Sequence, residues 1–232
     1  MKRFEIHTQP NDTTCGPTSL QAVYNHYNDP IDLSKVINEV EYLEGGGTLG
    51  VFLGTHALKR GYKVTIYSYN LKIIDPTWLS GETSDIIKKM EAQLKYKRSV
   101  KLKEATYAYI EFLNQGGMLK QDDLNFTLLS NYLEKEIPII VGLSATYLYR
   151  SKREYDVNGI SVYDDIKGTP TGHFVVLYNF NKGRNEVLVA DPYSGNPFTG
   201  DNNYSIDSQR VINSILLGIV TYDANLIIIQ PK

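Results

Sequence analysis

The stretch QPNDTTCGPTSLQAVYNHY, residues 9–27, carries the one cysteine of a 232-residue chain. A thiolate is a strong nucleophile, and thiol catalysis needs a base and a third group that orients the base. Cys15 lies where an amphipathic helix is expected to begin. Leu20, Val23, Tyr24 and Tyr27 form one apolar stripe over 15–28, Asp12, Thr13 and Thr14 are cap candidates, and Pro17 suits a first turn. A helix start presents unpaired N–H groups and a partial positive charge, which favour an anionic sulfur. Gly16 permits close approach of a backbone or a substrate. Asp12 opposes the anion if its carboxylate points at the sulfur.

The base must come from four histidines. His26 sits in the same helix ~16 Å further along its axis, out of reach of Cys15. His56 falls inside a third helical segment and reads as a packing residue. His7, on an extended segment upstream, has nothing visible to orient it. His173 opens the strand-like run Gly172-His173-Phe174-Val175-Val176-Leu177. After a short glycine-containing turn the chain returns as Glu186-Val187-Leu188-Val189-Ala190-Asp191-Pro192, which makes a hairpin. A turn centred on Lys182 sets His173 directly opposite Asp191, at a distance where a carboxylate orients an imidazole and favours its protonated form. Asn179 on the same strand is the reserve partner. Gln9 supplies a side-chain amide that could donate to the oxyanion of an acyl-transfer intermediate.

Each of these residues has a plain structural reading when taken alone; a lone cysteine, for instance, is most often a small core residue. Their order is more specific. Gln9 to Cys15-Gly16-Pro17-Thr18-Ser19, then Gly172-His173-Phe174-Val175-Val176-Leu177, then Ala190-Asp191-Pro192-Tyr193, resembles the papain-like peptidases of the C39 type. These are known as leader-processing domains of bacteriocin transporters and as standalone proteins. The resemblance implies Cys15 as nucleophile, His173 as general base and acid, Asp191 as its orienter and Gln9 as oxyanion donor. It implies a papain-like fold and a peptide or protein substrate; no cofactor is expected, and the single cysteine argues against a cysteine-based zinc site. No transporter membrane or ATPase segment follows, so export within one chain is not expected, and double-glycine cleavage is not carried over. Two alternatives stand beside a peptidase: a non-catalytic peptide-binding protein on the same fold, and a related thiol acyltransferase or deamidase.

The remaining elements must position these groups. Helices are expected over 33–43 and 49–60, with Gly45-Gly46-Gly47 turning the chain between them, followed by a strand over 63–69. Residues 70–136 read as a charged, mostly helical insertion with candidates at 84–97, 101–115 and 124–135. Buried strands follow at 137–143, 174–180, 186–190 and 226–229. The expected class is α+β: one C39-like domain over 1–232, its N-terminal helical half (about 1–136) packed on a C-terminal antiparallel β-sheet (about 137–232). Between them, Tyr155-Asp156-Val157-Asn158-Gly159-Ile160-Ser161-Val162-Tyr163 carries an Asn-Gly hairpin signal. Pairing 157 with 160 puts Tyr155, Val157, Ile160 and Val162 on one apolar face, which either packs on the body or forms a flap over the cleft.

Composition narrows the function. Net charge is −2, with 42% hydrophobic and 22% charged residues, an ordinary globular balance with no bulk attraction to nucleic acid or anionic membrane. The basic run from Lys95 to Lys103 reads as a solvated helix face. A single cysteine forbids an intrachain disulfide and fits a reducing compartment. The opening MKRFEIHTQPND has no apolar signal core, and no run approaches the ~20 apolar residues of a membrane helix, so a cytoplasmic location without membrane insertion is expected. The 18 tyrosines are spread evenly without a repeat, which reads as compositional rather than as a tyrosine-lined cleft.

Overall fold

The computed structural model describes residues 3–44, 46–157 and 160–232, Ile160 by its backbone alone. The chain runs through α1 (Cys15–His26), α2 (Leu33–Glu39), α3 (Gly50–Lys59), β1 (Lys63–Ser68), α4 (Thr83–Leu94), α5 (Val100–Asn114), β2 (Met118–Lys120), α6 (Phe126–Leu133), β3 (Ile139–Ser144) and α7 (Ala145–Tyr149). It continues through β4 (Glu154–Val157), β5 (Ile160–Tyr163), β6 (Gly172–Asn181), β7 (Glu186–Ala190), β8 (Asn203–Asp207), α8 (Ser208–Leu217) and β9 (Asn225–Gln230). Among the described residues, seven strands form one sheet in the order β2-β1-β9-β3-β6-β7-β8, and β4 pairs with β5 apart from it.

The buried runs explain the layering. β3, with the sequence IIVGLS, is buried along its whole length because helices cover both faces of the sheet. Ile140, Phe174, Val176, Ile227 and Ile229 face the core shared with α1, α3, α4 and α5. Ile139, Val141, Val175, Leu177, Leu226 and Ile228 face a second core closed by α6, α7 and α8. Alternation along each strand assigns its side chains to the two cores. Leu20, Val23 and Tyr24 of α1 are fully buried on the first core, as the stripe predicts, each contributing about 1.5–3 kcal/mol of burial.

The α+β class is as expected, but the division into halves is less clean. β1 comes from the helical half and lies inside the sheet, antiparallel to β9. The 70–136 segment also contributes β2, which runs parallel to β1, so the sheet is mixed. β8 and α8 add a strand and a helix within the expected β half. Helix α8 is stopped at its start by Asp207, whose carboxylate accepts from the Arg210 N–H at 2.9 Å. Helix α2 ends at Glu39, four residues before the expected stop, and Gly46 and Gly47 make the turn with φ of 84° and 76°. Gly45 lies outside the described residues.

The small hairpin keeps its expected register, Tyr155 against Val162 and Val157 against Ile160. Its Asn158-Gly159 turn lies outside the described residues. Tyr155, Val157 and Val162 remain 43%, 42% and 39% exposed, so this apolar face is not buried on the body.

Candidate active site

Cys15 is the first residue of α1 and is 8% exposed. No carboxylate occupies the first turn of that helix. Thr14, at the cap, does not bond a first-turn amide; its hydroxyl donates back to the Asn11 carbonyl at 3.0 Å. Pro17 brings no N–H to the turn. Gly16 is closely packed: a Cβ there would lie 2.6 Å from Thr48 Cγ2 and 3.3 Å from Leu53. The start of α1 is thereby seated against α3 and the segment before it.

His173 is the second residue of β6 and is 7% exposed. Its Nε2 lies 2.8 Å from Asp191 Oδ1. The carboxylate accepts, so Nε2 carries a proton and Nδ1 is the nitrogen left to face a nucleophile. Burial disfavours charge on this ring, yet the charges of Asp191 and Cys15 and hydrogen bonds to both raise His173 from 6.5 to about 10. Cys15 and Asp191 thus act on the same imidazole.

Asp191 is fully buried and fully used. Oδ1 accepts from His173 Nε2 and from the Tyr193 N–H at 2.9 Å, while Oδ2 accepts from the Tyr149 hydroxyl at 2.7 Å and the Tyr204 hydroxyl at 2.8 Å. Burial penalises this carboxylate, but the charge of His173 and these donors hold it below the usual carboxylate range. The pairing differs from direct opposition. A bulge between Leu177 and Asn179 shifts the register, β7 ends at Ala190, and Asp191 reaches His173 diagonally from just beyond the ladder. The same bulge sends the reserve residue Asn179 elsewhere: it pairs with Leu188, and its Oδ1 accepts from the Phe180 N–H.

The segment before α1 is strapped to the chain that follows Asp191. The Gln9 N–H donates to the Pro192 carbonyl at 2.8 Å, and Asn203 exchanges hydrogen bonds with the Phe4 backbone. Gln9 therefore lines the same cleft as His173, about 180 Å³ in volume. One of its amide hydrogens goes to the Asn11 carbonyl at 2.9 Å, which leaves one. Cys15 is not part of that cleft's lining. The hairpin borders the cleft through Glu154, Ser161, Val162 and Tyr163, so it contributes mostly its polar face.

The other histidines stand apart. His56 bonds Tyr24 and Glu39, and His26 bonds the Glu136 carbonyl. The sequence reading missed the tyrosines. Tyr149 and Tyr204 bind Asp191, and the rings of Tyr149 and Tyr193 stand 6.1 and 6.4 Å from that of His173. Their even spacing hid a spatial cluster. It also missed Asp223, a buried carboxyl whose Oδ2 would lie 2.3 Å from a Cβ at Gly172, the residue before His173. Among the described residues no group of three or more His, Cys, Asp or Glu is placed to hold a metal ion. No described helix is long and apolar enough to cross a membrane.

A helix-borne cysteine set against a strand-borne histidine and its carboxylate, on this mixed sheet, is a fold of the papain-like cysteine-peptidase type. The chain belongs to the Peptidase_C39 like family, whose model matches residues 1–213. A C39-like peptidase from Bacillus anthracis is 13% identical with a TM-score of 0.51, over 99% of this chain and 96% of that one, a likeness of fold. The peptidase domain of ComA, a bifunctional ABC transporter of a Streptococcus quorum-sensing pathway, is 13% identical with a TM-score of 0.47, over 99% of this chain and 100% of that one. Xylellain, a cysteine protease from Xylella fastidiosa, is 14% identical with a TM-score of 0.45, over 100% of this chain and 84% of that one. A search of the curated proteins finds no match.

Proposed function

We propose that this chain is a cysteine peptidase that hydrolyses a peptide bond through Cys15, His173 and Asp191. The observation that carries the reading is the His173–Asp191 contact: a fully buried carboxylate holds Nε2 at 2.8 Å while Cys15 stabilises the same ring as an imidazolium. In this mechanism the Cys15 thiolate attacks the peptide carbonyl, and the carbonyl oxygen takes up the negative charge. The remaining Gln9 amide hydrogen and the backbone N–H at the start of α1 donate to that oxyanion. Collapse of the intermediate breaks the C–N bond, and the His173 imidazolium gives its proton to the leaving amine. The now neutral His173 takes a proton from water, the hydroxide attacks the thioester, and the acid product leaves with Cys15 restored as thiolate. Asp191 does not exchange a proton; it fixes the ring and offsets its charge. Family membership supports the peptidase class.

The test is digestion of a diverse peptide pool followed by mass spectrometry, with Cys15→Ala and His173→Ala as controls. New termini that need both residues are expected. Cleavage surviving in either variant would overturn the assignment. Transfer of the acyl group to added amines in place of water would move the chain to the acyltransferase alternative.

A further inference from the structure

Besides His173 itself, the cleft is lined by Asp12, Glu154 and Gln9, by hydroxyls and by tyrosine rings, and among the described residues no lysine or arginine lines it. Asp12 reaches it from the segment before α1, and Glu154 from β4 on the hairpin side. Both residues line one cleft with Tyr163, whose titration is pushed upward by burial, by Tyr193 and by the charges of Glu154 and Asp12. Among the described residues neither Asp12 nor Glu154 pairs with a lysine or arginine, although the chain has 24 of them. Glu154 Oε2 accepts from the Ser161 hydroxyl at 2.7 Å. Gln9, on the same lining, holds its Oε1 buried without a hydrogen-bond partner. The rings of Tyr149 and Tyr193, 6.1 Å apart and inclined by 37°, add an aromatic wall.

Two carboxylates with no lysine or arginine partner among the described residues, one orphaned amide oxygen and an aromatic wall give the cleft acceptors to spare, since the His173 imidazolium is already held by Asp191 and Cys15. The complementary group is a donor with no acceptor of its own. A guanidinium presents five N–H groups and stacks on tyrosine rings, and an ammonium presents three. We infer that this cleft is the subsite for a cationic side chain, arginine or lysine, of the substrate peptide close to the scissile bond. Asp12 and Glu154 would be its specificity-determining residues. The inference rests on Cys15 and His173 being the reacting pair, because that places the cleft next to the bond being cut.

The test uses peptidyl Michael acceptors with chain on both sides of the electrophile. Arginine, its neutral isostere citrulline, or glutamate occupies in turn each of the two positions on either side. The readout is the second-order rate of Cys15 alkylation by mass spectrometry, taken as a ratio between probes so that general effects on the thiol cancel. At one position the arginine probe is expected to react about tenfold faster than citrulline, with glutamate slower still. That ratio is expected to fall to near one in Asp12→Asn/Glu154→Gln. Equal rates for arginine and citrulline at every position, or a preference that survives the double substitution, would overturn the cationic subsite and leave the peptidase reading intact. No alkylation of Cys15 by any probe would overturn both.

Discussion

Asp191 stands on the same face of the sheet as His173 because of a bulge at Tyr178. Next to the turn, Asn181 pairs with Glu186, Phe180 with Val187 and Asn179 with Leu188. Continued without interruption, that register sets Asp191 opposite Val176, on the face away from His173. The bulge moves the pairing so that Leu177 meets Val189 and Val176 meets Ala190. Asp191 then falls opposite Val175 on the face of His173, one diagonal step away, within reach of an imidazole. One inserted residue thus decides whether the carboxylate meets the ring.

Asp191→Asn removes the charge that most favours the imidazolium and keeps the shape. Wild-type His173 is protonated below its raised value of about 10 and loses the proton as pH rises through it. With asparagine the burial penalty remains and the larger of the two compensating charges is gone, so the alkaline limb of kcat/KM is expected to move to lower pH. The loss in kcat is expected to be on the order of 10³-fold with KM little changed. An unmoved alkaline limb would remove Asp191 from its role.

Tyr149 and Tyr204 each donate to Asp191 Oδ2. Removing one donor to a buried carboxylate costs about 1.5–3 kcal/mol, and the two share one acceptor, so their effects couple. Tyr149→Phe and Tyr204→Phe are each expected to lower kcat about tenfold or more without a matching rise in KM, and to move the alkaline limb because Asp191 is less well held. A change in Tm alone, with kinetics and pH profile unaltered, would make them structural tyrosines.

Burial raises Asp223 from 3.8 to about 7, against the opposing hydrogen bond from Thr221 and the charges of Lys101 and His173. The folded chain then holds a proton that the unfolded chain releases. Its contribution to stability is complete below 3.8 and is lost as pH rises to about 7. Asp223→Asn stays neutral, so its Tm is expected to hold level across that window and to exceed wild type above it. Parallel Tm curves for the two proteins would show that Asp223 does not titrate there.

Gly16→Ala drives a methyl group to 2.6 Å from Thr48 Cγ2. Overpacking of this kind costs about 1–3 kcal/mol and displaces the start of α1, and Cys15 with it. Thr48→Ser deletes the clashing methyl and keeps the hydroxyl that bonds the Glu41 carbonyl at 2.8 Å. The double substitution is therefore expected to recover much of the lost Tm and thiol reactivity. A double variant as unstable as Gly16→Ala would place the constraint elsewhere, with Leu53 the next neighbour.

The legible parts of the structure were those fixed by local pattern. The stripe through Leu20, Val23 and Tyr24 located α1, and hence Cys15 at its first residue. The Asn-Gly signal gave the β4–β5 register to the residue. The hairpin carrying His173 and Asp191 was legible as a hairpin, but not in register, because nothing in the run 172–181 announces a bulge at Tyr178. β8 and α8 carry local signals in the sequence: Tyr204 and Ile206 alternate inward, and Val211, Ile212 and Ile215 repeat at helical spacing behind the Asp207 cap. The tyrosine cage was not legible, since Tyr149 meets Asp191 across 42 residues of chain and only the folded sheet brings them together. Asp223 was hidden for the same reason; a lone acid in a loop gives no sign of burial.

The central claim is that His173 and Cys15 form one reacting pair, and the rate of Cys15 alkylation by iodoacetamide tests it most directly. The comparison is wild type against His173→Ala at neutral pH, with circular dichroism and Tm confirming that both are folded. The thiolate is the reacting species, and an adjacent imidazolium stabilises it, so His173→Ala is predicted to react about tenfold more slowly or worse. Equal or faster alkylation in a folded His173→Ala would contradict the pair and leave Cys15 a bystander thiol.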